Sequence, residues 1–75
     1  MLIDCRTKEE FNEGHRVGAI NIPVEDIMRG ELGAFENTQK DTEINCYCAS
    51  GARSSIAKQI LESKGYTNVH NLGGF

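Results

Sequence analysis

The sequence has no tryptophan, a single proline, and aromatic residues at only 7%. It lacks any apolar run near the ~20 residues that a membrane-spanning helix needs. There is no basic patch, and the net charge is −3. Nucleic acid and anionic membrane surfaces are therefore poor candidate partners. The start, MLIDCRTKEE, lacks the basic and apolar regions of a secretory signal, which leaves a cytosolic chain or a mature exported one. Three cysteines are an odd count, so no complete disulfide framework can form. At least one thiol stays free, which favours a reducing compartment or a working thiol.

What is present fits one small domain. At 75 residues the chain has one domain as its ceiling. A domain this small buries only about 60% of its unfolded surface. Hydrophobic residues at 39% and charged residues at 25% are ordinary for a globular chain. No repeat, low-complexity tract or linker interrupts it.

The hydrophobic pattern alternates between strand and helix. LIDC (2–5) reads as a short strand. Thr7 with Glu10 three residues on forms a capping box, which predicts a helix near 8–13 ended by Gly14. GAINIP (18–23) reads as a second strand that closes at Pro23. VEDIMRG (24–30) reads as a short helix stopped by Gly30, and 31–42 as loop. EINCYC (43–48) is a third strand, and 54–65 an amphipathic helix with Ile56, Ala57, Ile60 and Leu61 on one face and Gly65 as its stop. NVHNL (68–72) is a fourth strand, ended by Gly73-Gly74. The pattern predicts an α/β fold with a small, mostly parallel sheet of about four to five strands, flanked by helices on both faces. Ligands of such sheets bind beyond the carboxyl ends of the strands.

Three chemistries compete for the cysteines. Cys46-x-Cys48 does not match the C-x₂₋₄-C spacing of zinc pairs, and no second pair exists, so no metal or other cofactor is expected. Residues i and i+2 of a strand lie ~6.6 Å apart, at the outer limit for a disulfide, which disfavours a Cys46–Cys48 bridge. Cys5 and Cys46 fall inside predicted strands and read as small buried hydrophobes. Cys48 ends the third strand just before a loop and a helix. Backbone N–H groups, the helix dipole and Arg53 would all favour its thiolate, and the same cradle would hold an anion. A strand-end cysteine of purely structural use stays open on this pattern.

Four linked motifs then carry a resemblance. They are D-x-R-T-x-E-E-F from Asp4, G-H-x-x-G-A-I-N-I-P from Gly14, Y-C-x-S-G-x-R-S from Tyr47, and L-x-x-x-G-Y-x-N-V-x-N-L-G-G from Leu61. Together they resemble a rhodanese-like domain, and within that family the small single-domain members of the phage-shock type. The resemblance covers nearly the whole chain, 1–75, as a single domain, and is weakest over 24–42. Family members commonly carry more chain before the first motif and after the last, so truncation at one or both ends stays open. So does the compartment, cytoplasmic or periplasmic.

The resemblance implies sulfur transfer through a cysteine persulfide, with Cys48 as the catalytic nucleophile. Its active loop would be Cys48-Ala49-Ser50-Gly51-Ala52-Arg53, with Ser54 adding a hydrogen bond. Ser50 and Ser54 could equally cap the helix. Asp4 and Arg6 are expected to form a supporting ion pair, and His15 to be structural. The implied partners are a small-molecule donor such as thiosulfate and a thiol or cyanide acceptor, with a thioredoxin-like protein as a further acceptor. Two alternatives remain. One is a cysteine-dependent phosphatase or arsenate reductase, which the C-x₄-R spacing disfavours because related phosphatases use C-x₅-R. The other is a non-enzymatic rhodanese-like interaction module.

Overall fold

The computed structural model describes residues 1–75, apart from the side chain of Ala34. The elements run β1 (Leu2–Asp4), α1 (Lys8–Glu13), β2 (Ile20–Asn21), α2 (Val24–Met28), β3 (Ile44–Cys48), α3 (Ala52–Ser63) and β4 (Val69–Gly74), with a 3₁₀ turn at Gly33–Phe35. The four strands form one parallel sheet in the order β2-β1-β3-β4. The chain leaves β1 towards one edge and β3 towards the other. The switch point, where ligands of open α/β sheets bind, therefore lies between the carboxyl ends of β1 and β3. Asp4 and Cys48 are at those ends.

Alternation sorts the two faces of the sheet. Ile3, Cys5, Ile44, Cys46 and Cys48 point into one apolar core with Ala57 and Leu61 of α3 and Ile27 of α2. Asp4 and Tyr47 point to the opposite face, where polar groups meet instead.

Local sequence explains where the elements differ from the sequence reading. The second strand shrinks to Ile20–Asn21 because Ala19 N–H bonds Arg16 O and closes a turn over its expected start. The 31–42 loop contains the 3₁₀ turn. Helix α3 starts at Ala52, two residues early, because Gly51 takes a left-handed φ of +95° and completes the turn before it. Ile56 does not join the buried face and stays 44% exposed. Strand β4 runs through Gly73 and Gly74 instead of stopping before them. A register shift between Cys46 and Tyr47 leaves Leu72 unpaired and sets Gly73 and Gly74 beside Tyr47 and Cys48.

Candidate active site

The capping box at α1 forms as the sequence demands. Thr7 Oγ accepts from Glu10 N–H at 3.2 Å, and Glu10 Oε1 accepts from Thr7 N–H at 3.1 Å. Glu10 then does more than cap. It binds Arg53 across the site through Oε1 at 2.7 Å and Oε2 at 3.1 Å. The Arg53 guanidinium, with the Thr7 N–H behind it, holds the Glu10 carboxyl down at about 2.

Cys48 is fully buried. Its Sγ accepts a hydrogen bond from Gly51 N–H at 2.9 Å and lies 3.6 Å from Ser54 Oγ. Burial alone would push the thiol up. Bonds from the Ser54 hydroxyl and from the N–H groups of Ser54, Ser50 and Gly51 outweigh it and bring the thiol down to about 7. Arg53, in the first turn of α3, is held protonated chiefly by Glu10, and the charge on Cys48 adds to this.

Neither serine caps the helix. Gly51 occupies the cap position, so no cap side chain accepts from the first-turn N–H groups. Ser54 is buried and faces the sulfur, while Ser50 and Ala49 are exposed and contribute backbone. Ala52 belongs to the helix instead of the loop.

On the far face of the sheet, Arg6 grips Asp4 through Nε at 3.0 Å and Nη2 at 2.8 Å. Tyr47 Oη donates to Asp4 Oδ2 at 2.8 Å and accepts from Arg16 N–H at 3.0 Å. Asp4 is fully buried, which raises its carboxyl, yet bonds from Arg6 and Tyr47 prevail and lower it. Arg6 also bonds Gly14 O at 2.6 Å. The cluster locks the ends of β1 and β3 together beneath the loop. His15 stacks on Phe11 with ring centroids 3.7 Å apart and bonds its carbonyl.

Cys5 and Cys46 are both fully buried in the core. The hydrogen bond with Cys46, and then burial, push the Cys5 thiol up. A groove of about 440 Å³ lies between α1, β2 and α2, lined by Lys8, Phe11, Asn12, Asn21, Pro23 and Asp26. Cys48 does not line it.

A model of the rhodanese-like domain matches residues 1–75. The chain belongs to the rhodanese-like family. Thiosulfate sulfurtransferase PspE of Escherichia coli is 40% identical over 72 residues, covering 96% of this chain and 67% of that protein. The uncharacterized protein YqhL of Bacillus subtilis is 37% identical over 75 residues, covering 99% of this chain and 56% of that one. A solved structure, a rhodanese with anions from Escherichia coli, superposes with a TM-score of 0.84 at 38% identity, covering 97% of this chain and 84% of that one. Rhodanese-like membership supports sulfurtransferase chemistry in general for this chain.

Two residues at this rhodanese-like site escaped the sequence reading. Asn71 of β4 accepts from Ser54 Oγ at 2.6 Å and donates to Gly51 O at 3.1 Å. Its signal was its place in the N-L-G-G run, where a polar residue precedes two glycines. From its neighbours Glu10 reads only as a helix cap, and nothing local to it announces a partner 43 residues away.

Proposed function

We propose that this chain is a thiosulfate-type sulfurtransferase that carries sulfur as a Cys48 persulfide. One observation supports this above the rest: Sγ of Cys48, at the end of β3, accepts the Gly51 N–H at 2.9 Å from the short turn Ala49–Gly51 that opens α3. The loop favours a thiolate near neutral pH, so no general base is needed.

In the first step the thiolate attacks the outer sulfur of thiosulfate. A new S–S bond forms, the donor S–S bond breaks, and sulfite leaves with its electron pair. In the second step a thiolate or cyanide attacks the outer sulfur of the persulfide and expels the Cys48 thiolate. The N–H groups of Ser50, Gly51 and Ser54 stabilise negative sulfur at both stages. Arg53 adds positive charge at the cradle for the sulfonate, while Glu10 restrains it. Asp4 and Arg6 support the loop from the other face and do not touch the donor. Cys48 is fully buried, so a donor reaches Sγ only after a local rearrangement of the residues that cover it. A small thiol, cyanide or a thioredoxin-like protein serves as acceptor.

The C-x₄-R loop also bears on the phosphatase alternative. One residue fewer leaves less room for a tetrahedral phosphate than for a single sulfur. Mass spectrometry after incubation with thiosulfate tests the reading. The expected result is a gain of one sulfur atom that Cys48→Ser abolishes. No gain, together with hydrolysis of an aryl phosphate, would make the chain a phosphatase. Neither activity in a folded sample would leave an interaction module.

A further inference from the structure

Ser54 has one hydroxyl proton and three acceptors within reach. Asn71 Oδ1 lies at 2.6 Å, Gly51 O at 3.2 Å and Cys48 Sγ at 3.6 Å. A hydroxyl donates only one hydrogen bond at a time. The orientation of the Asn71 amide is set by two other partners. Gly73 N–H donates to Oδ1 at 2.9 Å, and Nδ2 donates to Gly51 O at 3.1 Å. Turning the amide over would lose both bonds. Ser54 therefore meets a carbonyl oxygen, and that contact is its shortest. Held so while Cys48 is a thiol, the hydroxyl offers the sulfur its lone pairs, and it donates to the thiolate only by giving up its bond to Asn71. A thiol can donate to those lone pairs, whereas a thiolate gains nothing from them.

We propose that Asn71 is a positioning residue that withholds the Ser54 proton from Cys48 and so restrains ionisation of the thiol. The inference rests on reading Cys48 as the nucleophile. Ionisation sends the thiol proton to solvent. The Ser54 hydroxyl then rotates from Asn71 to the sulfur, and no proton leaves Ser54. When the sulfur is capped as a persulfide, the hydroxyl returns to Asn71. The β4 edge thus acts as a brake on the loop. The register shift that sets Gly73 beside Tyr47 also leaves the Gly73 N–H bonded to the Asn71 side chain, which holds the brake in place.

Other titratable and charged groups near Cys48 are few among the described residues. Helix α3 contributes Arg53, with Glu10 of α1 behind it, and β1 contributes Cys5. From β4 the neutral Asn71 faces the loop, while His70 on the same strand is exposed and bonded to Asn68. Asn71 is itself exposed, so replacing it leaves the core intact.

The test is an NMR titration of the Cys48 ¹³Cβ resonance, assigned by its absence in Cys48→Ser. Removing the acceptor in Asn71→Ala frees the Ser54 proton for the sulfur. The midpoint should fall by about one pH unit. Asn71→Leu, closer in volume, should fall in the same direction and guards against loop relaxation in the smaller variant. A fall in either variant that disappears when Ser54→Ala is added supports the proposal. No fall in both, or a fall that survives Ser54→Ala, overturns it. The titration needs no sulfur transfer, so its outcome stands even where the persulfide experiment fails.

Discussion

Arg53 and Glu10 form a two-pronged ion pair, at 2.7 and 3.1 Å, between the first turn of α3 and the capping box of α1. The pair ties the cysteine loop to an element 43 residues earlier in the chain. It also directs the Arg53 charge onto a carboxylate of the protein.

That pair makes an acid-stability prediction. Bonding to Arg53 depresses the Glu10 carboxyl from 4.5 to about 2. A depressed acid contributes stability that is fully present above its unfolded value and is lost as pH falls through the folded one. Glu10→Gln should therefore be less stable than the parent above about pH 4.5, with the gap closing towards about pH 2. Urea midpoints of the two proteins measured between those limits check this, and a gap independent of pH would exclude it.

In the proposed reaction the nucleophile is the Cys48 thiolate, and hydrogen bonds around the loop bring the thiol down to about 7. The first half-reaction with thiosulfate should rise with pH, reach half its limit near pH 7 and level off above about pH 8. Single-turnover sulfite release across that range gives the profile. A midpoint near the ~8.5 of a free thiol would show that the loop does not activate the sulfur.

At Gly74 the chain passes so close to the loop that a Cβ would lie 2.7 Å from Ala49 O, a backbone atom that cannot swing aside. Gly74→Ala should cost about 1–3 kcal/mol, as overpacking does. It should also displace the N–H groups that aim at Sγ. Denaturation midpoints report the first effect and the Cys48 titration the second.

Cys46 lies in the core, beneath the sheet and away from the loop N–H groups. Cys46→Ala should lower stability by about 1–2 kcal/mol through lost burial and a small cavity. Turnover of the folded fraction should remain that of the parent. A folded variant without turnover would place Cys46 in the chemistry.

Much of this molecule was legible in its sequence because the signals are local. The capping box at Thr7 and Glu10, the period-3.6 pattern of Ala57 and Leu61, and the strand-loop-helix run around Cys48 each act within a few residues. So the parallel sheet and the position of Cys48 follow from neighbours in the chain. Gly73 and Gly74 read as a strand end because glycine weakens a strand, yet the missing Cβ of Gly74 is what lets β4 reach the loop, and Gly73 supplies a φ of +88°.

Composition and spacing determined the fold class, the burial of Cys5 and Cys46, and the place of Cys48 at a strand end ahead of a helix, although β1 stops at Asp4, one residue before Cys5, and the helix already holds Ala52 and Arg53. The tertiary structure decided which groups share the loop's hydrogen bonds. Glu10 claims Arg53, Asn71 claims the Ser54 hydroxyl, and Tyr47 joins Arg6 on Asp4. Each of those contacts spans 17 residues or more, apart from the Arg6–Asp4 pair. A side chain with several possible partners is assigned only when the folded backbone sets the distances among them, and no local pattern encodes those distances.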